Sequence, residues 1–224
     1  MPREAFQNDL NELQTDVTEL GELVADRLRT AIDAFDRNEP ELARTVIEGD
    51  DEVNERYLEL EQDCVSLLAL QQPVASDLRL ITASFKVLTD VERVGDLATN
   101  IAQYAVDAER EVVQEVDVRM IGETALDLFT DAIDAYVAQD PEACRAVAER
   151  DDDLDAMIGT AGDAVVRDIV TTEAVASDEG VERVMADIRR LFLALRDLER
   201  VGDHAVNVAA RTLYAVENDD ALIE

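Results

Sequence analysis

The chain has 224 residues, 53 of them Asp or Glu and 20 Lys or Arg, so its formal net charge is −33, yet 47% of it is hydrophobic. That charge excludes a basic nucleic-acid binder, and the apolar fraction is ample for a packed core, so the acids belong to the surface of one or two small globular domains. Aromatic residues are only 4%, Trp is absent, and there are 8 Gly and 4 Pro, a composition that disfavours sheets and favours long helices rich in Ala, Leu, Glu and Arg.

Apolar residues at Phe6, Leu10, Leu13, Val17, Leu20, Val24, Leu28, Ile32 and Phe35 fall three or four apart, the mark of one long amphipathic helix. Asn38 and Pro40 end it, and a second helix is expected from about Glu41 to Leu70. Gln71-Gln72-Pro73 breaks the chain again before a third helix from about Ala75 to Ala108. Arg110 to Asp117 then links to a repetition of the plan: a helix near 117–138, a break at Pro141, a helix to about Val170 and a last one to about Glu217. Short connections make sequential helices antiparallel, so the expected fold is all-α, two tandem pseudo-symmetric three-helix bundles at residues 1–109 and 117–217.

Direct comparison of the halves supports a duplication. At an offset of 101, Ala31-Ile32-Asp33-Ala34 recurs as Ala132-Ile133-Asp134-Ala135, and Val74-Ala75-Ser76-Asp77 as Val175-Ala176-Ser177-Asp178. Beyond this the offset becomes 107, which implies a six-residue insertion near Glu179 to Val184. Residues 90–102 then match 197–209 at 9 of 13 positions, Glu-Arg-Val-Gly-Asp included.

The longest stretch free of charge, Cys64 to Ser76, has 13 residues, short of the roughly 20 that a membrane span needs. No basic leader followed by an apolar run opens the chain, so a cytoplasmic location is expected. Cys64 and Cys144 form no CxxC pair and read as small core residues. With 19 Arg to a single Lys, Lys86, the acid-rich surface would repel itself at low ionic strength. Molar salt, where the Debye length falls to about 3 Å, removes that penalty, and a salt-adapted halophilic protein is the expectation.

The candidate site is a duplicated carboxylate stripe. Glu92, Asp96 and Asn100 lie four apart on the third helix, and Glu199, Asp203 and Asn207 repeat them on the sixth. A second pair, four apart, precedes each stripe: Asp50 with the amide Asn54 on the second helix, and the two acids Asp151 and Asp155 on the fifth. Like charges one turn apart repel unless a cation neutralises them, and facing helices offering oxygen ligands suit divalent metals such as Mg, Mn, Fe or Zn. Arg93 and Arg200, beside Glu92 and Glu199, are the obvious salt-bridge partners, while Gly95 and Gly202 point to close helix approach or ligand access. His204 stands where the first copy has Leu97 and reads as a local surface or packing residue. Asp50-Asp51-Glu52-Val53-Asn54 is no EF-hand loop, and there is no Gly-rich phosphate loop, nucleophile elbow or His-rich metal set, so a conventional enzyme is not expected.

Gln72-Pro73-Val74-Ala75-Ser76-Asp77-Leu78-Arg79-Leu80-Ile81, then Asp90 to Ala102, and the repeat of its core at Glu199 to Ala209, closely resemble the PhoU family of phosphate-transport regulators over nearly the whole chain. The resemblance implies a cytoplasmic, non-enzymatic negative regulator of phosphate uptake, peripheral to the membrane through the ATPase subunit of a phosphate-specific ABC transporter and, in bacteria, acting with a sensor kinase. It implies a homodimer, and multinuclear iron or other metal on the two signatures. Carried over, Asp50, Glu92 and Asp96 would serve one cluster, and Asp151, Asp155, Glu199 and Asp203 the other. Asn54 departs from the pattern: its neutral amide stands in place of a carboxylate, so the first cluster is expected to bind fewer ions or bind them less tightly.

Two other readings have distinct signatures. A metal-independent scaffold of the same shape would use its acidic stripes to contact basic loops of a transporter or regulator. A ferritin-like di-metal oxidase needs Glu-x-x-His on two helices, and the chain has one His, placed after Asp203.

Overall fold

A computed structural model gives the architecture; it describes residues 2–70, 73–107, 116–171 and 178–223. Seven helices follow in order: α1 Pro2–Arg37, α2 Pro40–Glu48, α3 Asp50–Leu70, α4 Ala75–Val106, α5 Val118–Ala138, α6 Pro141–Thr171 and α7 Asp178–Glu217, with no strand among the described residues. The Arg110–Asp117 link lies outside the described residues up to Glu115, and so does the expected end of the third helix at Ala108.

The expected breaks have a common chemistry. Asn38 and Gln139, equivalent at the offset of 101, both adopt left-handed backbone, with φ of 52° and 50°. The Asn38 N–H bonds Phe35 O and the Glu39 N–H bonds Ala34 O at 2.9 Å, a Schellman closure that satisfies the last carbonyls of α1. Pro40 and Pro141 then open the next helices, where a missing N–H costs nothing. Asp140 also caps α6, its Oδ1 accepting from the Glu142 N–H at 3.0 Å.

One helix boundary differs from the sequence expectation. The segment 41–70 is interrupted at Gly49, where Gly49 N–H to Val46 O and Glu52 N–H to Gly49 O, both 3.2 Å, replace the regular ladder. The cause lies on α1: the Arg27 guanidinium fills the place a Cβ at Gly49 would take and donates to Glu52 at 2.7 Å. In the second repeat the equivalents are Leu128 and Arg150, and α6 runs unbroken while Arg150 pairs with Asp131.

α1, α2–α3 and α4 form the first bundle, α5, α6 and α7 the second, and they join through α1 against α5 and α4 against α7. One hydrophobic cluster, running from Phe6 through Leu88 and Phe129 to Leu213, fills both bundles and the seam. The seam is pseudo-two-fold. Gly21 of α1 abuts Ile133 of α5, and Gly122 of α5 abuts Ile32 of α1, the same pair with repeats exchanged, so the two helices cross antiparallel. α4 and α7 are also antiparallel: Arg79 reaches Ala215 O at 3.4 Å and Arg190 reaches Asp107 O at 2.7 Å. α7 has 40 residues against 32 for α4, and the six inserted residues fall in its first turns. Cys64 and Cys144 are buried free thiols, as expected, and burial raises their pKa values, to about 12 and about 11.

Candidate functional site

Each half of the motif comes from two packed helices. Asp50 opens α3 and Asn54 lies one turn on, facing Glu92 and Asp96 of α4; Asp151 and Asp155 of α6 face Glu199 and Asp203 of α7. Buried Val91, Val94, Leu97 and Leu198, Val201, Ala205 continue the core on the other faces of α4 and α7 alongside the stripes, so the acids line the rim of each helix pair.

The second cluster is electrostatically tense. Asp151 is half-buried, and its Oδ1 is a buried oxygen with no hydrogen-bond partner. Burial pushes its carboxyl up to about 6, with further upward pressure from Asp155, Asp203, Asp152 and Glu199. Asp155, Glu199 and Asp203 are exposed around it. The space for Asp151 comes from Gly202, where a Cβ would collide with Oδ1 and lie 2.7 Å from Leu154 Cδ2.

The first cluster is quiet. Asn54 Nδ2 donates to Asp50 Oδ2 at 3.0 Å, and Thr99 Oγ1 donates to Asp50 Oδ1 at 2.9 Å, so both carboxylate oxygens are satisfied. Arg93 lies 3.5 Å from Glu92 and 3.1 Å from Asp96. Glu92 still titrates above the ordinary range, first through burial and then through Asp96, with Arg93 opposing. Gly95 packs on Val53 Cγ1, 3.1 Å from where its Cβ would stand, which is the close approach its sequence position suggested.

The two arginines do not behave alike. Arg93 pairs with Glu92 as expected, but Arg200 bonds Asp197 at 3.4 Å. Asp197 is only 5% exposed, sits on the α4–α7 seam, and also accepts from Tyr104 Oη at 2.9 Å. Its equivalent, Asp90, takes His204 Nδ1 at 2.9 Å and Asn207 Nδ2 at 3.3 Å. His204 is therefore not a local residue; it ties the repeats together, because the antiparallel crossing sets the Leu97-equivalent position of α7 against Asp90 of α4. Asn100 is exposed. Thr99, Tyr104 and Asp197 escaped the sequence reading, although the four mismatches between 90–102 and 197–209 held part of the signal. Two of them, Thr99 to Val206 and Leu97 to His204, exchange polar for apolar side chains.

The side chains of the set offer oxygen ligands, the chemistry a hard divalent ion favours, and Asp151 Oδ1 is a buried acceptor without a hydrogen bond. Among the described residues no three His, Cys, Asp or Glu side chains already stand in an arrangement ready to hold a metal.

A tandem pair of helical bundles carrying matched acidic signatures on their last helices defines an all-α, two-repeat class of protein. The PhoU domain model matches residues 17–105 and 118–212. A phosphate-specific transport system accessory protein PhoU homolog of Pseudomonas putida is 34% identical over 218 residues, spanning 96% of this chain and 82% of the relative. The accessory protein PhoU of Escherichia coli K12 is 29% identical, spanning 96% and 86%. The crystal structure of PhoU from Pseudomonas aeruginosa superposes with a TM-score of 0.83 at 31% identity, covering 96% of this chain and all of that one. The phosphate transport system regulatory protein PhoU from Streptococcus pneumoniae shares the fold, with a TM-score of 0.87 at 23% identity, covering 98% and 99%. The chain belongs to the PhoU family.

Proposed function

We propose that this chain is an accessory regulator of phosphate transport that restrains uptake from the cytoplasmic side by docking on the ATPase subunit of a phosphate-specific ABC transporter. The observation that carries the reading is the full-length likeness, through both repeats, to accessory proteins of that transport system. Among the described residues no helix is long and apolar enough to cross a membrane, which fits a peripheral role. Homodimerisation and adaptation to high salt complete the reading, the latter supported by a net charge of −33 with a single Lys.

The carboxylate sets are proposed to take divalent or transition metal ions, Fe, Zn, Mn or Mg, with Asp151, Asp155, Glu199 and Asp203 as the stronger set. A bound cation would neutralise acids that otherwise repel and would pin α6 to α7. The chain's own part is to hold Asp151 in place over Gly202 and to fix α7 against α4 through Arg200, Asp197 and Tyr104. A second reading, a metal-independent scaffold, draws on Arg93, which already neutralises acids of the first stripe.

Deleting the gene and measuring phosphate uptake in phosphate-replete cells tests the regulatory role. Raised uptake, restored by the wild-type gene, is expected, together with co-purification of the transporter's ATPase subunit; unchanged uptake would overturn the proposal.

A further inference from the structure

We infer that the cleft between α5 and α6 is the docking groove for a basic amphipathic helix of a partner protein. The chain carries its own control, because the first repeat has the same cleft between α1 and α3 and fills it with charge. The groove is assigned on the chain's own residues, so failure of the transporter reading would leave it standing.

At the offset of 101 the two clefts are lined by equivalent positions. Between α1 and α3 these are Asp16, Glu19, Arg56, Glu59, Leu60 and Asp63, with Arg56 reaching across to Glu19 at 3.9 Å. Between α5 and α6 their counterparts are Asp117, Met120, Met157, Thr160, Ala161 and Ala164. Two methionines, a threonine and an alanine thus stand where the first repeat has four charged side chains, and the cleft measures about 680 Å³ against about 200 Å³. In a chain of net charge −33, Met120 is nevertheless 52% exposed here, and two of the chain's four methionines flank this one cleft. Unbranched, polarisable thioethers repack against the helix they meet, which suits a surface that closes on a partner.

The groove has the shape of a helix seat. Asp153, Ala156, Thr160 and Ala164 follow one another by three or four along α6, over roughly 16 Å or three turns. The small side chains of Ala156, Thr160, Ala161 and Ala164 let a further helix come close to α6, with Met120 and Met157 beside it to interdigitate. Toward the α5–α6 turn the groove is shut, since Thr124 Oγ1 lies 3.9 Å from Met157 Sδ and Arg150 pairs with Asp131 beyond it.

Charge decides what lies there. Two acids line the groove, Asp117 and Asp153, both exposed and equivalent to Asp16 and Glu52 of the first repeat, so carboxylates are kept at the edge where the charges inside are absent. Among the described residues no Lys or Arg lines it. An apolar floor with acidic edges is complementary to a helix that carries apolar residues at i, i+3, i+4 and i+7 and Lys or Arg beside them. A second copy of this chain would bring another −33 to the contact, and an anionic bilayer would be repelled by the same acids.

The full chain in molar KCl is titrated into a fluorescein-labelled synthetic helix of leucine and lysine, the leucines on one face, and binding is read by anisotropy. Met120→Glu/Met157→Arg installs the ion pair that Glu19 and Arg56 form in the first repeat and leaves the net charge unchanged, so the general attraction between peptide and protein is constant. This variant is expected to keep the wild-type melting temperature and to bind the peptide at least tenfold more weakly, while Leu58→Ser, which removes a 59% exposed apolar side chain on α3, binds as wild type does. A peptide with leucine and glutamate in the same pattern is expected to bind wild type at least tenfold more weakly than the lysine form. Equal binding by wild type and the Met120→Glu/Met157→Arg variant, equal binding of the two peptides, or no binding by wild type would overturn the assignment. Sedimentation that shows a wild-type dimer lost in the variant would put a second copy in the groove and overturn it as well, and so would wild-type pelleting with phosphatidylglycerol vesicles that the variant abolishes.

Discussion

Gly202 of α7 makes the room in which Asp151 of α6 stands, since a Cβ on that glycine would collide with Asp151 Oδ1 and press on Leu154. A Gly→Ala change inside a helix gains about 1 kcal/mol of propensity and the carboxylate can swing aside, but buried Leu154 Cδ2 at 2.7 Å must also shift, so Gly202→Ala is expected to fold with a net loss of about 1 kcal/mol. Asp151 would then be turned out of its place against Gly202, where Asp155, Asp203 and Glu199 press on its carboxyl. Titration with Mn²⁺ should show affinity reduced at least tenfold in Gly202→Ala. Gly95→Ala, whose new methyl group meets the apolar Val53 at 3.1 Å and Val24 at 3.7 Å and no carboxylate among its nearest atoms, should leave the titration unchanged.

The same device holds the repeats together at the pseudo-dyad, with a different expected consequence. A Cβ at Gly122 would stand 2.8 Å from Ile32 Cγ2, and Ile32 is β-branched and buried, so it has little freedom to move. Overpacking costs about 1–3 kcal/mol, more than the gain in helix propensity offsets. Gly122→Ala is expected to destabilise the protein by about 1–2 kcal/mol in denaturant unfolding. Gly21→Ala, where the nearest Ile133 atoms are 3.1 Å away, should come out near neutral.

How far the sequence disclosed this molecule depends on which interactions are local. Helix positions followed from the three-and-four spacing of Phe6 to Phe35 and from the breaks at Asn38, Pro40 and Pro141, because periodicity and capping are written within a few residues. The duplication located the acidic motif and identified Asn54 as its departure. The interruption at Gly49 was not legible, since its cause is Arg27 on another helix. Nor was the seam: Asp90 with His204, and Tyr104 with Asp197, meet only when the repeats dock antiparallel, and no spacing within one helix encodes that docking. Arg93 and Arg200 show the limit most clearly, as identical motifs whose side chains are drawn to different acids by what faces them.

Tyr104 is the donor that makes a buried Asp197 tolerable. Its hydroxyl lies 2.9 Å from Oδ2, and burial followed by this bond pushes the phenol up to about 12, so it remains a neutral donor at any physiological pH. Tyr104→Phe would leave the carboxylate with Arg200 at 3.4 Å as its remaining bonded partner. A buried acceptor that loses its donor costs about 1–3 kcal/mol, and that loss is expected in thermal or urea unfolding. Asp197→Asn should make the Tyr104 change less costly, since an amide oxygen demands less of its donor. Strict additivity of the two changes in a double-mutant cycle would show that the bond contributes nothing.

Asp151 gives the metal-free protein a pH dependence of defined sign. Its carboxyl titrates at about 6 in the fold against 3.8 in the unfolded chain, so between those values the folded state holds a proton that the unfolded state has released. Stability from this group therefore falls as pH rises from about 4 to about 6 and is level on either side. Screening at a partly solvated site limits the effect to about 1 kcal/mol. Asp151→Asn removes the charge, so in chelator-treated protein its melting temperature should equal that of wild type below pH 4 and exceed it above pH 6. Saturating Mn²⁺ should reverse the order above pH 6, because the ion stabilises only the chain that keeps the carboxylate. A constant difference between the two melting curves across pH 4–7 without metal would show that Asp151 is not strained in the fold.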